Sequence, residues 1–329
     1  MTRYLLRRLA AVAGVLLVIC AVTFAVFYVL PSDPAAHACG KTCTPEQVTL
    51  VRAQMGLDRP VYEQFGGYVT GIFTGRVLGD GPTALECSVP CFGYSYQNAL
   101  PVWDLLTDRL PVSVSLALGA AALWLAGGLA VGLVAALRRG TALDRSLMAA
   151  TLASASAPVY FTAMMLLLIL VQRLEWLPYP DYRPISEGPA AWAGNLLLPW
   201  MTLASLYAAM YARLTRASMI ETMAEPYIRT ARAKGLYERT VVTKHGLRSA
   251  LTPIVTIFGM DLGGLLAGAV ITEHVFGLPG VGQLTYDAIF KADQPVVLGV
   301  TLLAAFFITL ANLGVDLVYA VIDPRVRYA

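Results

Sequence analysis

The sequence predicts an all-α polytopic membrane protein of six transmembrane helices, with a small extracytoplasmic cap between spans 1 and 2. Three observations carry this. Of 329 residues, 57% are hydrophobic and only 14% charged, with a mean hydropathy of +0.63, whereas a soluble domain carries about a quarter charged residues. Several windows exceed the roughly 18–20 apolar residues needed to cross a hydrocarbon core of about 30 Å. Lysine and arginine are shared unevenly among the segments joining those windows, as the positive-inside bias requires.

The first span is read at 9–30, after Arg3, Arg7 and Arg8. Ala36-His37-Ala38 imitates a signal-peptide cleavage site, but an apolar run of about 22 residues exceeds the 7–15 of a signal h-region. A retained anchor is therefore expected. The remaining spans are read at 111–137, 146–172, 195–212, 250–272 and 295–321, with Pro158, Pro199 and Pro253 inside them. Membrane helices accept proline where neighbouring groups satisfy the freed carbonyls. This divides the chain into a tail and first helix (1–30), the cap (31–110) and a five-helix core (111–329).

Orientation follows from the cations. Most of the 24 lysines and arginines fall at the N-terminus, in the loop 138–145, in the loop 213–249, and in the C-terminal tail with Arg325 and Arg327. The bias agrees across every loop. It places both termini and the 213–249 loop in the cytoplasm of a cell-membrane protein.

The cap opens with turn formers, and Thr44-Pro45-Glu46-Gln47 is a helix-start pattern. Short amphipathic helices are expected at 46–57 and 61–73. Four of the five cysteines lie in the cap, as the pairs Cys39/Cys43 and Cys87/Cys91. In an oxidising compartment an even number argues for disulfides, with three possible connectivities. A bridge between the pairs would close a large loop and staple the cap. The alternative is a metal site from His37, Cys39, Cys43 and one later thiol; with a single histidine, no metal is expected. Cys20 reads as a small buried apolar residue. The triplet Gly40-Lys41-Thr42 lacks the earlier glycine of a phosphate-binding loop, because position 35 is Ala35. No ATP site, catalytic constellation or nucleic-acid-binding pattern is read on this chain.

Within the spans, Gly128-x-x-x-Gly132 and Gly264-x-x-x-Gly268 are read as positions of close helix packing. Asp261 is an ionisable group inside the fifth span, which is costly and so draws functional suspicion. It either faces a pathway or bonds to a neighbouring helix.

The most informative stretch is cytoplasmic: PYIRTARAKGLYERT, residues 226–240. Pro226 suits a first helical position and Gly235 a C′ position. Glu225 lies at the positive end of the helix dipole and Arg232 and Lys234 at its negative end. A helix of about nine residues is marginal alone in water, and Ile228 is its one large aliphatic side chain. Three readings compete. It is a merely charged loop, an interfacial helix on anionic lipid, or a docking helix for a cytoplasmic partner. A second amphipathic run, with Val241, Val242, Leu247 and Leu251 on one face, favours docking.

YIRTARAKGL, followed by a basic run ending in LRSALTPIVTIFG, resembles the EAA loop of ABC-importer permeases of the oligopeptide and dipeptide type. RYLLRRL at 3–9, QMGLDRPVYEQF at 54–65, RLPVSVSLAL at 109–118, LRRGTALDR at 137–145, GLPGVGQLTYDAI at 277–289 and DPRVRY at 323–328 extend the resemblance over nearly the whole chain. Arg229 and Thr230 stand where the general pattern has Glu and Ala, and the cysteine pairs are not a feature of the family at large.

The resemblance implies a type I ABC-importer permease fold and the role of the first of two permease subunits. It implies partners: a homologous second permease subunit, two ABC ATPases that bind ATP and Mg, an extracytoplasmic solute-binding protein, and membrane lipid. The coupling helix gripped by an ATPase would comprise Tyr227, Arg229, Thr230, Ala231, Arg232, Ala233, Lys234 and Gly235. Arg229, Arg232 and Lys234 would supply polar contacts, and Ala231, Ala233 and Gly235 close approach. The implied cargo is a di- or oligopeptide; the same machinery in relatives takes nickel complexes, haem or glutathione. A secondary transporter, the rival class, is expected to show internal repeats, and no convincing one is found.

Overall fold

The computed structural model describes residues 2–26, 33–39, 43–79 and 84–322. The outer end of the first expected span (27–30), the triplet at 40–42, the C-terminal tail with Arg325 and Arg327, and the side chains of Arg3 and His37 lie outside the described residues. In chain order the elements are α1 (Thr2–Phe24), α2 (Pro34–Cys39), α3 (Pro45–Gln54), α4 (Val61–Thr74), β1 (Arg76–Leu78), β2 (Leu85–Cys87), β3 (Tyr94–Ser95), β4 (Leu100–Pro101) and α5 (Val102–Leu137). There follow α6 (Ala142–Ser156), α7 (Val159–Leu166) with a π-helical continuation to Arg173, and α8 (Pro189–Ala224). The chain continues through α9 (Pro226–Ala233), α10 (Glu238–Thr240), a π-helical stretch (Val241–Leu247) and α11 (Arg248–Leu266). It closes with α12 (Val270–Phe276), α13 (Val281–Lys291) and α14 (Gln294–Ile322). Contacts divide the chain into two compact units: Met1–Ser113 with Pro279–Thr309, and Val114–Leu278 with Leu310–Ala329.

In the first unit α3 starts where the sequence signals it. The Thr44 side chain accepts from the Gln47 amide while the Gln47 side chain accepts from the Thr44 amide, a reciprocal capping box. Two antiparallel hairpins, β1 with β2 and β3 with β4, amend the all-α expectation. Strands of two or three residues between turn formers leave no alternation to read. The bridges are Cys39–Cys43 and Cys87–Cys91, so the cap is not stapled from one pair to the other. Each bridge has its own small core. Cys39 packs in the Ala35–Val51 cluster, and Cys87 and Cys91 pack with Leu78. A larger core joins Val102, Leu105 and Leu106 of α5 to Val281 and Leu284 of α13 and Val296 and Val300 of α14. The buried Asp293 carboxylate, ahead of α14, accepts from the Ser95 hydroxyl and from the Asn98 side-chain Nδ2 at 3.2 Å.

In the second unit the early glycine pair lies close against α8. A Cβ on Gly128 would lie 2.6 Å from Tyr211 Cβ, and one on Gly132 would lie 2.5 Å from the Ala212 carbonyl oxygen. The later pair does not. Gly264 is exposed with nothing near its missing Cβ, and Gly268 sits at φ +113° in the break between α11 and α12. The close approach on α11 is made by Gly259 against Val315. The expected fifth span at 250–272 is thus a helix that stops at Leu266.

Four described helices are long and apolar enough to cross a membrane: α1, α5, the run Glu238–Leu266, and α14; the count becomes five if α6 and α7 form one bent span. The six-span expectation departs at two places. The third span breaks at Ala157-Pro158 and bends by 102°, because Pro158 lacks an amide hydrogen and forces Ala157 into an extended conformation (φ −82°, ψ 128°). The fourth lies inside α8, whose 36 residues are long enough, but Asn195, Pro199, Tyr207 and Tyr211 hold its hydropathy down.

Gly132→Val should overpack the α5–α8 contact at a cost of about 1–3 kcal/mol, read as a lowered unfolding temperature of the purified protein. Gly264→Ala, which meets nothing, should leave that temperature unchanged.

Candidate functional site

The candidate site is the polar end of the second unit, where α8 hands over to α9. Glu225 ends the first helix and precedes the second in one extended residue (φ −63°, ψ 147°), and Pro226 takes the first helical position. Its missing amide hydrogen costs nothing there. The helix closes as the sequence signals, with Gly235 at φ +75° and the Gly235 amide donating to the Arg232 carbonyl at 2.9 Å. Helical geometry stops at Ala233, two residues short of the expected 226–235, with Lys234 as the terminal residue.

What anchors so short a helix is one inward stripe. Ile228 is fully buried and Ala231 is 7% exposed; both pack against Val241, which is also fully buried, with Met223 of α8 alongside. Burying one isoleucine side chain is worth about 1.5–3 kcal/mol, enough to seat two turns of helix that water alone would not keep. Ala231 therefore holds the helix down and is not available to a partner, which amends its expected role. Tyr227 reaches sideways, its hydroxyl 3.1 Å from Ser249 Oγ.

The outward stripe carries Arg229, Thr230, Arg232, Ala233, Lys234 and Gly235, all exposed. Arg232 is already engaged: its Nε and an Nη donate to the Glu238 carboxylate at 3.0 and 2.6 Å. That fork ties the end of α9 to α10. Arg232 beside Glu238 holds this carboxyl below its ordinary range. The pair is solvent-exposed, so it stabilises by at most about 1 kcal/mol. Beyond the turn, Leu236 is 41% and Tyr237 85% exposed. An aromatic ring held this far into water by an ordered turn enlarges the presented surface; the sequence reading passed over it.

The following run, expected to lay its apolar face along the membrane, turns that face into the protein instead. Val241 and Val242 are buried, and Val242 joins Met219 and Ala250 in a core flanked by Leu133, Ala136 and Leu247. Gly246 permits the approach, since a Cβ there would sit 2.9 Å from the Met223 sulfur. One further tie is invisible to local pattern. The buried carboxylate of Asp144 accepts a bidentate fork from Arg216 at 2.7 and 2.8 Å and a bond from the Gly140 amide at 2.9 Å. It fixes the start of α6 to α8 just ahead of the handover. The spacing Thr141-x-x-Asp144 is a helix-start signal; its distant arginine is not.

Asp261, expected either to face a pathway or to bond to a neighbouring helix, accepts from the Tyr211 hydroxyl of α8 at 2.8 Å. Around that hydroxyl, Trp124 stacks on Tyr207 at 4.7 Å and lies 6.0 Å from Phe258. This carboxylate bonds to a helix of its own unit. Among the described residues no group of three or more His, Cys, Asp or Glu could hold a metal ion. What the arrangement offers is mechanical: a short rod, charged and aromatic on one side, wedged on the other into the end of a long helix.

Two sequence profiles match the chain. Residues 1–117 match the N-terminal part of the binding-protein-dependent transport system membrane component, and residues 128–328 match the binding-protein-dependent transport system inner membrane component. A Brucella abortus (strain 2308) protein bearing a peptide transport system permease name is 35% identical over 328 residues, covering all of both chains. The dipeptide transport system permease protein DppB of Escherichia coli K12 is 34% identical over 352 aligned residues, covering 100% of this chain and 99% of its own. In fold, a chain from the inward-facing MetNI methionine ABC transporter superposes with a TM-score of 0.53 at 17% identity, covering 67% of this chain and 97% of that one.

Ile228→Ala should free α9 from its seat, at a cost of about 2–4 kcal/mol to the local packing. Faster amide exchange confined to 226–240 is the expected reading. Because the Glu238 pKa is depressed, its ion pair contributes fully above the ordinary value of 4.5 and is lost as pH falls through the lower folded value. The protection of the 234–238 amides, taken relative to the intrinsic exchange rate at each pH, should fall on acidification below pH 4.5, and Glu238→Gln should abolish that fall.

Proposed function

The chain belongs to the binding-protein-dependent transport system inner membrane component family, the membrane permease part of ABC transporters and not itself the ATPase, and on that premise we propose that it forms half of the translocation pathway of an ATP-driven importer of di- or oligopeptides. Names of relatives matched from end to end support the cargo class. The observation that carries the mechanism is the α9 wedge, with its buried Ile228–Ala231 side and its exposed Arg229–Lys234 side.

In this reading the outward side docks in a cleft of a cytoplasmic ABC ATPase, one of two that bind ATP and Mg. A homologous second permease subunit completes the pathway, and an extracytoplasmic binding protein delivers cargo. Both termini and the 213–249 loop face the cytoplasm. ATP binding changes the ATPase surface, and the helix follows whichever state holds it more tightly; only a difference in affinity between two states can move an equilibrium. Because α9 is wedged against Met223, Val241 and, through the adjacent core, Val242 and Ala250, its displacement passes to α8 and α11 as a push on packed side chains. Exposed Arg229, Lys234 and Tyr237 make the contact, while Arg232 keeps the turn rigid through Glu238. No step of chemistry falls on this chain.

Gly235→Arg should place a side chain at a left-handed turn that disfavours it by roughly 1–2 kcal/mol and should crowd the docking face. The variant is expected in the membrane at normal level, with ATP-dependent peptide uptake lost. Gly235→Asn, which tolerates that backbone region, should retain most uptake. Normal uptake by Gly235→Arg with its partner subunits present would refute the docking assignment.

A further inference from the structure

The cap holds a helix whose packing partners fix its depth. Phe65, Tyr68, Val69 and Ile72 of α4 pack with Cys20 and Phe24 of α1 and with Leu298 and Leu302 of α14. The Phe24 ring lies 5.5 Å from Phe65 and 5.9 Å from Tyr68. Both partner positions fall inside apolar membrane-length windows, Arg7–Phe24 and Gln294–Asp316. At 1.5 Å per residue, Leu298 and Leu302 sit about 6 and 12 Å along α14 from its first residue. With the last span beginning at 295, as the sequence reads it, a helix packed at those levels lies at the depth of the outer acyl chains.

The rest of α4 is built for that depth. Between Val61 and Thr74 the one charged residue is Glu63, in the first turn. Tyr62, Gly66 and Phe73 recur at helical spacing along one flank, all exposed, Tyr62 and Phe73 each by 75%. The other flank carries Glu63, Gly67, Thr70 and Thr74, which line a groove of about 280 Å³ together with Arg59 and Arg76. The Thr70 and Thr74 hydroxyls donate back to the carbonyls of Gly66 and Thr70 at 2.8 and 3.0 Å. The helix thus has three sides: one against the spans, one apolar and uncovered, one polar. Val15, Val18 and Val22 of α1 are likewise exposed, so the uncovered aromatic flank belongs to a molecule whose apolar surface is already offered to lipid.

We propose that α4 is an interfacial helix lying in the bilayer surface, with Tyr62, Gly66 and Phe73 in contact with lipid acyl chains and the Glu63–Thr74 groove open to water. Amphipathic helices bind this way, their apolar face about 5–10 Å into the boundary and their polar face wet, and aromatic rings favour that level. The proposal needs only that α1 and α14 span the membrane, and it stands apart from what the protein transports.

Nitroxide labels on single variants Tyr62→Cys, Phe73→Cys, Glu63→Cys and Thr74→Cys test it. The full chain, with the subunits that co-purify, is placed in vesicles of phosphatidylethanolamine and phosphatidylglycerol. Collision with lipid-soluble oxygen is compared with collision with a water-soluble nickel chelate. Labels at 62 and 73 should favour oxygen several-fold more than labels at 63 and 74. Equal chelate access at all four sites would mean that the helix stands in water. Shielding of 62 and 73 from both reagents would mean that a protein covers them. Oxygen-dominated relaxation at all four would mean a submerged helix. Each of the last three results overturns the proposal.

Discussion

The site depends on the seating of Ile228 and Ala231 against Val241 and Met223. A two-turn helix with one large aliphatic residue has no stability of its own in water. Its direction, the register of its charged side and the position of its end turn are borrowed from that contact. Because Met223 lies on α8 and Val241 opens the run into α11, the same few side chains join the exposed rod to two long helices. A push on the rod cannot be absorbed locally, since close-packed side chains either stay or shift together.

The surrounding contacts make the receiving end stiff. α8 is 36 residues, about 54 Å at 1.5 Å per residue. Within its unit it is pinned between Tyr211 and Arg216 by three ties: the Asp144–Arg216 fork, Gly128 and Gly132 letting α5 approach its backbone at Tyr211 and Ala212, and the Tyr211–Asp261 bond. The Asp144 carboxylate is held by two arginine nitrogens and by the Gly140 amide, three bonds that fix the start of α6 on α8. Regular helix is interrupted at Ala157-Pro158 between α6 and α7, and at Ala267–Ala269 between α11 and α12, the latter with Gly268 at φ +113°. Stiff elements with breaks between them are what a gated pathway requires of its walls.

Much of this was legible in the sequence because it is local. Pro226 and Gly235 mark both ends of α9 to within two residues, Thr44 and Gln47 mark the start of α3, and Gly128 and Gly132 mark a real close approach. What the sequence hid depends on partners distant along the chain. The inward turn of Ala231 follows from Val241; the engagement of Arg232 follows from Glu238; the roles of Asp144 and Asp261 follow from Arg216 and Tyr211. The second glycine pair misled because spacing alone cannot tell a packed helix face from an open one. The cysteines illustrate the same limit, since connectivity is set by which side chains share a core, and here each pair has its own.

The central claim is that the exposed side of α9 is the surface a cytoplasmic ATPase holds. A photo-crosslinking residue at position 229, in the transporter assembled in membranes, tests it most directly. The account predicts a covalent adduct with the ATPase subunit whose yield changes between the ATP-free and ATP-bound states. An adduct with lipid alone, or none in either state while the complex still transports, would contradict it.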